Sequence, residues 1–146
     1  MNVRNSTTPQ SEKRADISLS RQWESIDWKT VRETVNRLQT RIAKAVIEGN
    51  YNLVKRLQYL LTHSFHAKLL AVRIVTQNRG KRTPGIDGEL WTSSKDKMLA
   101  ALNLSDKQYQ AQPLKRIFIP KPGKNTKRPL SIPTMYDRAI QALFAL

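Results

Sequence analysis

The sequence predicts an α+β chain that is mainly α: an N-terminal helical bundle, then a basic β-hairpin and a last helix. Three observations carry this. Apolar residues at Trp28, Val31, Val35, Leu38 and Ile42 recur in steps of three and four, which makes one helix face. The short runs Ile117-Phe118-Ile119 and Leu130-Ser131-Ile132 are rich in β-branched or aromatic residues and flank a polar loop, which suits strands. The formal net charge is +15, and the cations concentrate where acids are missing.

Residues 1–20 are polar, with few large apolar groups, and are expected to form a disordered tail. Residues 21–90 are expected to form the helical domain. Asp27 is a natural N-cap for the first periodic helix, and Gly49-Asn50 a natural stop. Trp23, Ile26 and Trp28 anchor its entry; stacking of Trp23 or Trp28 on a base is the alternative role. Arg37, Arg41 and Lys44 follow helical spacing away from the apolar face, as a basic stripe. A second helix is expected from Tyr51 to Leu61. A third, from Ser64 to Gln77, has apolar groups nearly all round and should be the most buried. His63 and His66 sit at the junction. Without Cys or carboxylate company they are a weak metal signal, and they read as polar junction residues.

No acid occurs between Glu48 and Asp87. That window ends in the loop Asn78-Arg79-Gly80-Lys81-Arg82-Thr83-Pro84-Gly85. Its glycines permit close backbone approach to a phosphate chain, and Arg79, Lys81 and Arg82 supply attraction. Asp87 reads as a turn carboxylate bonding local amides. Ser93 or Ser94 caps a short helix through Met98, Leu99 and Leu102. A polar loop over 103–112 follows, in which Tyr109 either packs or stacks.

Residues 91–146 lead into the hairpin. Its loop, Lys121-Pro122-Gly123-Lys124-Asn125-Thr126, supplies the backbone angles a reversal needs. Pro122 and Pro129 cannot donate to a ladder, which places both at edges or in loops. Lys115, Arg116, Lys121, Lys124, Lys127 and Arg128 crowd the hairpin with no acid among them. Like charges this dense do not stabilise a fold, but they suit phosphate. The bland alternative is a solvated basic hairpin. Thr134 caps the final helix, and Asp137 is placed to complete a capping box. The helix runs through Ile140, Leu143 and Phe144.

Three ordered motifs have a known likeness. Ile119-Pro120-Lys121-Pro122, then Lys127-Arg128-Pro129-Leu130-Ser131-Ile132-Pro133, then Asp137-Arg138-Ala139-Ile140-Gln141 resemble the first two sequence blocks of group II intron reverse transcriptase/maturase proteins. Thr83-Pro84-Gly85-Ile86-Asp87-Gly88 resembles the extra block before their fingers, and the stretch from Trp23 to Asn78 their N-terminal domain. The resemblance implies a right-hand polymerase whose fingers begin with this hairpin and helix. It implies that Lys121, Arg128 and Lys115, the last where such proteins commonly carry Arg, contact the incoming nucleotide's triphosphate. It also implies that the 78–85 loop lies over the template. RNA or template contacts are then expected from Arg37, Arg41, Lys44, Arg79, Lys81, Arg82, Arg116, Lys124 and Lys127. The implied partners are intron RNA, template RNA and a DNA primer, together with the palm and thumb of a longer protein.

One departure matters. The family's chemistry needs Mg²⁺ held by palm aspartates, and neither palm motif is present. Past Asp106 the only acidic side chain is Asp137, and one carboxylate cannot build a two-metal site. No catalytic residue, metal ligand or cofactor is therefore expected in this chain, which should not polymerise alone. Its end within an apolar helix reads as truncation before the palm.

Composition sets outer limits. The charge favours an acidic partner, nucleic acid first and anionic membrane second. No apolar run approaches the ~18–20 residues of a membrane span. There are no cysteines to form disulfides or Cys-based metal sites. A cytoplasmic location is the default. Two other readings stay open: a stand-alone basic RNA- or DNA-binding module, and an interaction domain whose last helix docks on a palm-like partner.

Overall fold

The computed structural model describes residues 9–107, 109–120, 123 and 127–146; for residues 9–12, 79, 80, 119, 120 and 128 it describes the backbone alone. The elements are α1 (Pro9–Glu24), α2 (Trp28–Ile47), α3 (Tyr51–His63), α4 (Phe65–Gln77), a 3₁₀ turn (Arg79–Arg82), α5 (Ser94–Asn103), β1 (Lys115–Pro120), β2 (Lys127–Ile132) and α6 (Met135–Phe144). The architecture is mainly helical with one antiparallel hairpin, as the periodicities predict.

Local sequence explains the starts and stops. The Asp27 carboxylate accepts from the amides of Lys29 and Thr30 at 3.1 and 3.4 Å and from the Thr30 hydroxyl at 2.8 Å. These bonds, the Thr30 hydroxyl first, hold its pKa below the usual carboxylate value. Gly49 follows α2 at φ 70°, a left-handed position that glycine occupies without steric cost. Asn50 then caps α3 by accepting from Leu53 N at 3.3 Å.

Helix α4 is the centre of the bundle and packs against α2, α3, α5 and α6. Its Ala67, Ala71 and Val72 are fully buried. Small side chains on this face let neighbouring helices approach closely. Val31 and Val35 of α2, Leu61 of α3, Met98 and Ala101 of α5, and Met135, Ala139 and Leu143 of α6 complete the core. A smaller cluster of Ala45, Val54 and Leu57 closes the α2–α3 pair.

One expectation needs correcting. The tail expected over 1–20 is helical from Pro9, within α1; residues 1–8 lie outside the described residues. Helix α1 packs against α5. Leu19 and Trp23, one turn apart, reach the core, and Asp16 meets Lys95 at 3.7 Å. Average polarity hides two apolar residues placed on one helix face. In α5, Ser93 is the cap, accepting from Asp96 N at 3.1 Å. The helix buries Met98, Ala100 and Ala101 and leaves Leu99 and Leu102 exposed. Its inward face is set by close packing against α1 and α4, not by its largest side chains.

Candidate nucleic-acid interface

The hairpin register pairs Lys115 with Ile132, Ile117 with Leu130 and Ile119 with Arg128. Opposed residues share a face and alternate residues switch faces. Positions 115, 117, 119, 128, 130 and 132 therefore form one face, and Arg116, Phe118, Pro129, Lys127 and Ser131 belong to the other. The first face turns toward the bundle, where Ile132 is buried and Ile117 half-buried. Phe118 on the other face is 60% exposed. The register thus sorts the predicted cations. The positions of Lys115 and Arg128 lie on the bundle-side face, near its opposite ends. Arg116 and Lys127 lie on the outer face, and both are exposed. Lys121 and Lys124 lie outside the described residues, as does the Arg128 side chain.

The first turn of α6 fixes this hairpin to the bundle. Thr134 caps the helix by accepting from Asp137 N at 3.1 Å. The Asp137 carboxylate does not return to the cap as a capping box would. It is 2% exposed, and it accepts from the Tyr109 hydroxyl at 2.5 Å and from Gln112 N at 3.0 Å. Burial first, then this bond and the carboxylate charge, push the Tyr109 phenol up to about 12. Tyr109 thus both packs and bonds, with its ring 6.0 Å from that of Tyr136. The Tyr136 hydroxyl in turn accepts from Ser105 N at 3.0 Å and donates to Ser105 O at 2.7 Å. The lead-in to β1 is held at several points by one helical turn.

The next residue holds the upstream motif. Arg138 donates from Nε to Pro133 O at 3.0 Å and from Nη2 to Thr83 O. Burial lowers its pKa, and the charge of Asp87 opposes that shift. Gly85 lies directly on the Pro133–Thr134 backbone, where a Cβ would stand 2.8 Å or less from the nearest atoms. Asp87 accepts from Glu89 N at 3.0 Å, the turn role read from its sequence context. The 83–88 motif and the 127–138 motif, separate in sequence, are one packed unit. Between α4, β2 and α6 lies a mostly apolar groove of about 490 Å³, lined in part by Ile74, Leu130, Ile132 and Arg138.

The remaining predicted cations lie elsewhere. Arg37, Arg41 and Lys44 are exposed along α2, and Lys81 and Arg82 are exposed in the turn after α4. The Arg79 side chain lies outside the described residues. The ion pairs among the described residues are Lys95–Asp16 and His63–Asp106, so none of these cations has a carboxylate partner there. Sequence reasoning missed the company of His63. It stacks on Tyr59 at 3.9 Å between ring centroids, bonds Tyr59 O through Nδ1 at 2.8 Å, and faces Asp106 at 3.5 Å. Asp106 reaches it from the loop after α5, which spacing along one helix cannot reveal. The pair is a structural junction; among the described residues no three His, Cys, Asp or Glu side chains group to hold a metal ion. No helix of the described residues is long and apolar enough to cross a membrane. Trp23 is buried and meets Trp28 edge-on at 5.2 Å, which is the anchor role.

Comparison with known proteins fits this geometry. Residues 23–104 match the family described as the N-terminal domain of reverse transcriptase. The match spans α2 to α5 and stops short of the hairpin. Protein YkfC of Escherichia coli (strain K12) is 36% identical over 76 residues, covering 49% of this chain and 20% of that protein. The chain therefore spans about a fifth of that relative's length. With more than half of its residues matched by the family model, the chain belongs to the family of reverse transcriptase N-terminal domains.

Proposed function

We propose that this chain is the RNA-binding N-terminal and fingers portion of a group II intron reverse transcriptase/maturase, an RNA-directed DNA polymerase of intron splicing and mobility. The observation that carries the reading is the packing of the 83–88 motif onto the first turn of α6. It joins a family-type helical domain to a hairpin whose sequence carries six cations and no acid. In this reading Arg37, Arg41, Lys44 and the 79–82 turn grip intron or template RNA. Arg116, Lys124 and Lys127 add contacts on the hairpin. Lys115, Lys121 and Arg128 bind the nucleotide triphosphate, where fixed cations offset developing charge. A primer strand and the palm and thumb of a longer, cytoplasmic protein are the other partners.

Mg²⁺ belongs to that longer protein. The residues here do not fit it, because Asp137 is the only side-chain carboxylate past Asp106 and one carboxylate cannot build a two-metal site. The chain by itself is accordingly expected to make no DNA.

The test is binding of structured RNA over a salt series. The Arg37→Ala, Arg41→Ala, Lys44→Ala triple variant should reduce the slope of log affinity against log salt by about 3, about 1 for each phosphate-contacting cation removed. In the longer protein, Lys121→Ala with Arg128→Ala should abolish nucleotide incorporation while RNA stays bound. Loss of RNA affinity alone would instead favour a stand-alone nucleic-acid module. No binding of the chain to RNA at low salt sinks the reading.

A further inference from the structure

Arg73, on α4, is in an unusual position for a cation. Its Nη1 is shut away from solvent and has no hydrogen-bond partner among the described residues. Its guanidinium carbon stands 4.4 Å from the centroid of the Trp28 ring. No carboxylate pairs with it among the described residues. Instead the side-chain charge acting on it is that of a second arginine. Arg32 follows Trp28 by one turn on α2, so the two share a side of that helix. Burial first, and then the like charge of Arg32, hold the Arg73 pKa below its usual value. Arg73 and the Trp28 indole thus meet where α2 packs on α4, with Arg32 one turn further along α2. Such a cluster repels itself unless an anion sits between the guanidinium groups.

The place differs from the α2 stripe. At about 100° per residue, Trp28 and Arg32 fall on one flank of the core-facing side of α2. Arg37, Arg41 and Lys44 fall on the other flank. The Trp28 ring has Arg73 over it and Trp23 at its edge, which leaves it poorly placed to stack on a base. The chemistry on offer is therefore anion recognition. Arginine is suited to phosphate because its planar fork matches two oxygens at once.

We propose that Arg73, seated on Trp28, and Arg32, one turn along α2, form a phosphate site at the α2–α4 seam that takes a phosphodiester of bound RNA. This rests on the RNA-binding reading above and adds a second grip to it, on the opposite flank of α2. RNA held at both flanks would lie across this helix, not along one side of it.

The experiment follows the arginine Nε–Hε resonances of the full chain while inorganic phosphate is added, then repeats the RNA salt series on variants. The Arg32 and Arg73 signals should shift saturably with phosphate, and Arg32→Gln should weaken that binding by roughly tenfold, as expected for a charge-assisted contact. Arg32→Gln and Arg73→Gln should each lower the salt slope for RNA by about 1, and Arg73→Lys should keep it because the charge remains. Arg32 is exposed, so its variant gives an answer even where Arg73→Gln fails to fold. Unmoved Arg32 and Arg73 signals in phosphate, or an Arg32→Gln variant with the parent slope for RNA, would overturn the proposal. If phosphate binds at these two arginines but the parent chain binds no RNA, the anion site stands and the RNA reading falls.

Discussion

A Cβ added to Gly85 would lie 2.6 Å from the Cα of Thr134 and 2.7 Å from its amide nitrogen. Both atoms belong to backbone, and Thr134 is fully buried at the head of α6. There is no flexible side chain to yield. The turn before α5 and the helix after the hairpin are in contact because this residue has no side chain.

Gly85→Ala should therefore destabilise the chain by about 1–3 kcal/mol, the usual cost of overpacking a filled site. Urea unfolding should show a lower midpoint at an unchanged slope. A parent-like midpoint would show that the 83–88 turn shifts freely against α6.

Tyr109 should leave a signature in alkaline solution. Its folded value of about 12 lies above the ordinary 10.0, so the folded state favours the neutral phenol. That contribution is complete below the unfolded value, and it is lost as pH rises from about 10 to about 12. Phenolate absorbance should show a late component near pH 12 from Tyr109. Tyr109→Phe should remove that late component and flatten the alkaline fall in stability. A Tyr109→Phe chain that keeps the late component would assign it to another tyrosine.

Arg138 should resist conservative exchange. Its guanidinium bonds Pro133 O and Thr83 O from different nitrogens, and lysine has one charged nitrogen to offer. Arg138→Lys should cost about 1–3 kcal/mol, the range for hydrogen bonds from charged groups. Amide exchange should locate the loss. The Gly88 amide, bonded to Gly85 O at 3.1 Å, should exchange faster, while amides in the middle of α4 stay protected. Uniform acceleration across the chain would mean that Arg138 supports the whole fold rather than this turn.

Much of the fold was legible in the sequence. The bounds of α2, α3 and α4 follow from apolar spacing and from Asp27 and Gly49, which act within a turn or two of their own positions. The same is true of the hairpin strands, of the Ser93 and Thr134 caps and of the acid-free basic segments. The basic residues of the candidate interface were legible as charges, but their sorting by face was not.

What the sequence by itself determined are the features written into neighbouring residues: helical period, caps, strand pairs, net charge and the order of the motifs. Only the tertiary structure decided that α1 folds back onto α5 and that α5 turns its alanines inward. It also decided that His63 meets Asp106, that Asp137 holds Tyr109 and Gln112 instead of its own cap, and that Arg138 reaches Thr83. These partners come from distant parts of the chain, and no local pattern marks one member of a pair for the other. The path of the chain brings them together, and for the buried Asp137 a polar partner is then necessary, because a polar group removed from water needs a bond to replace it.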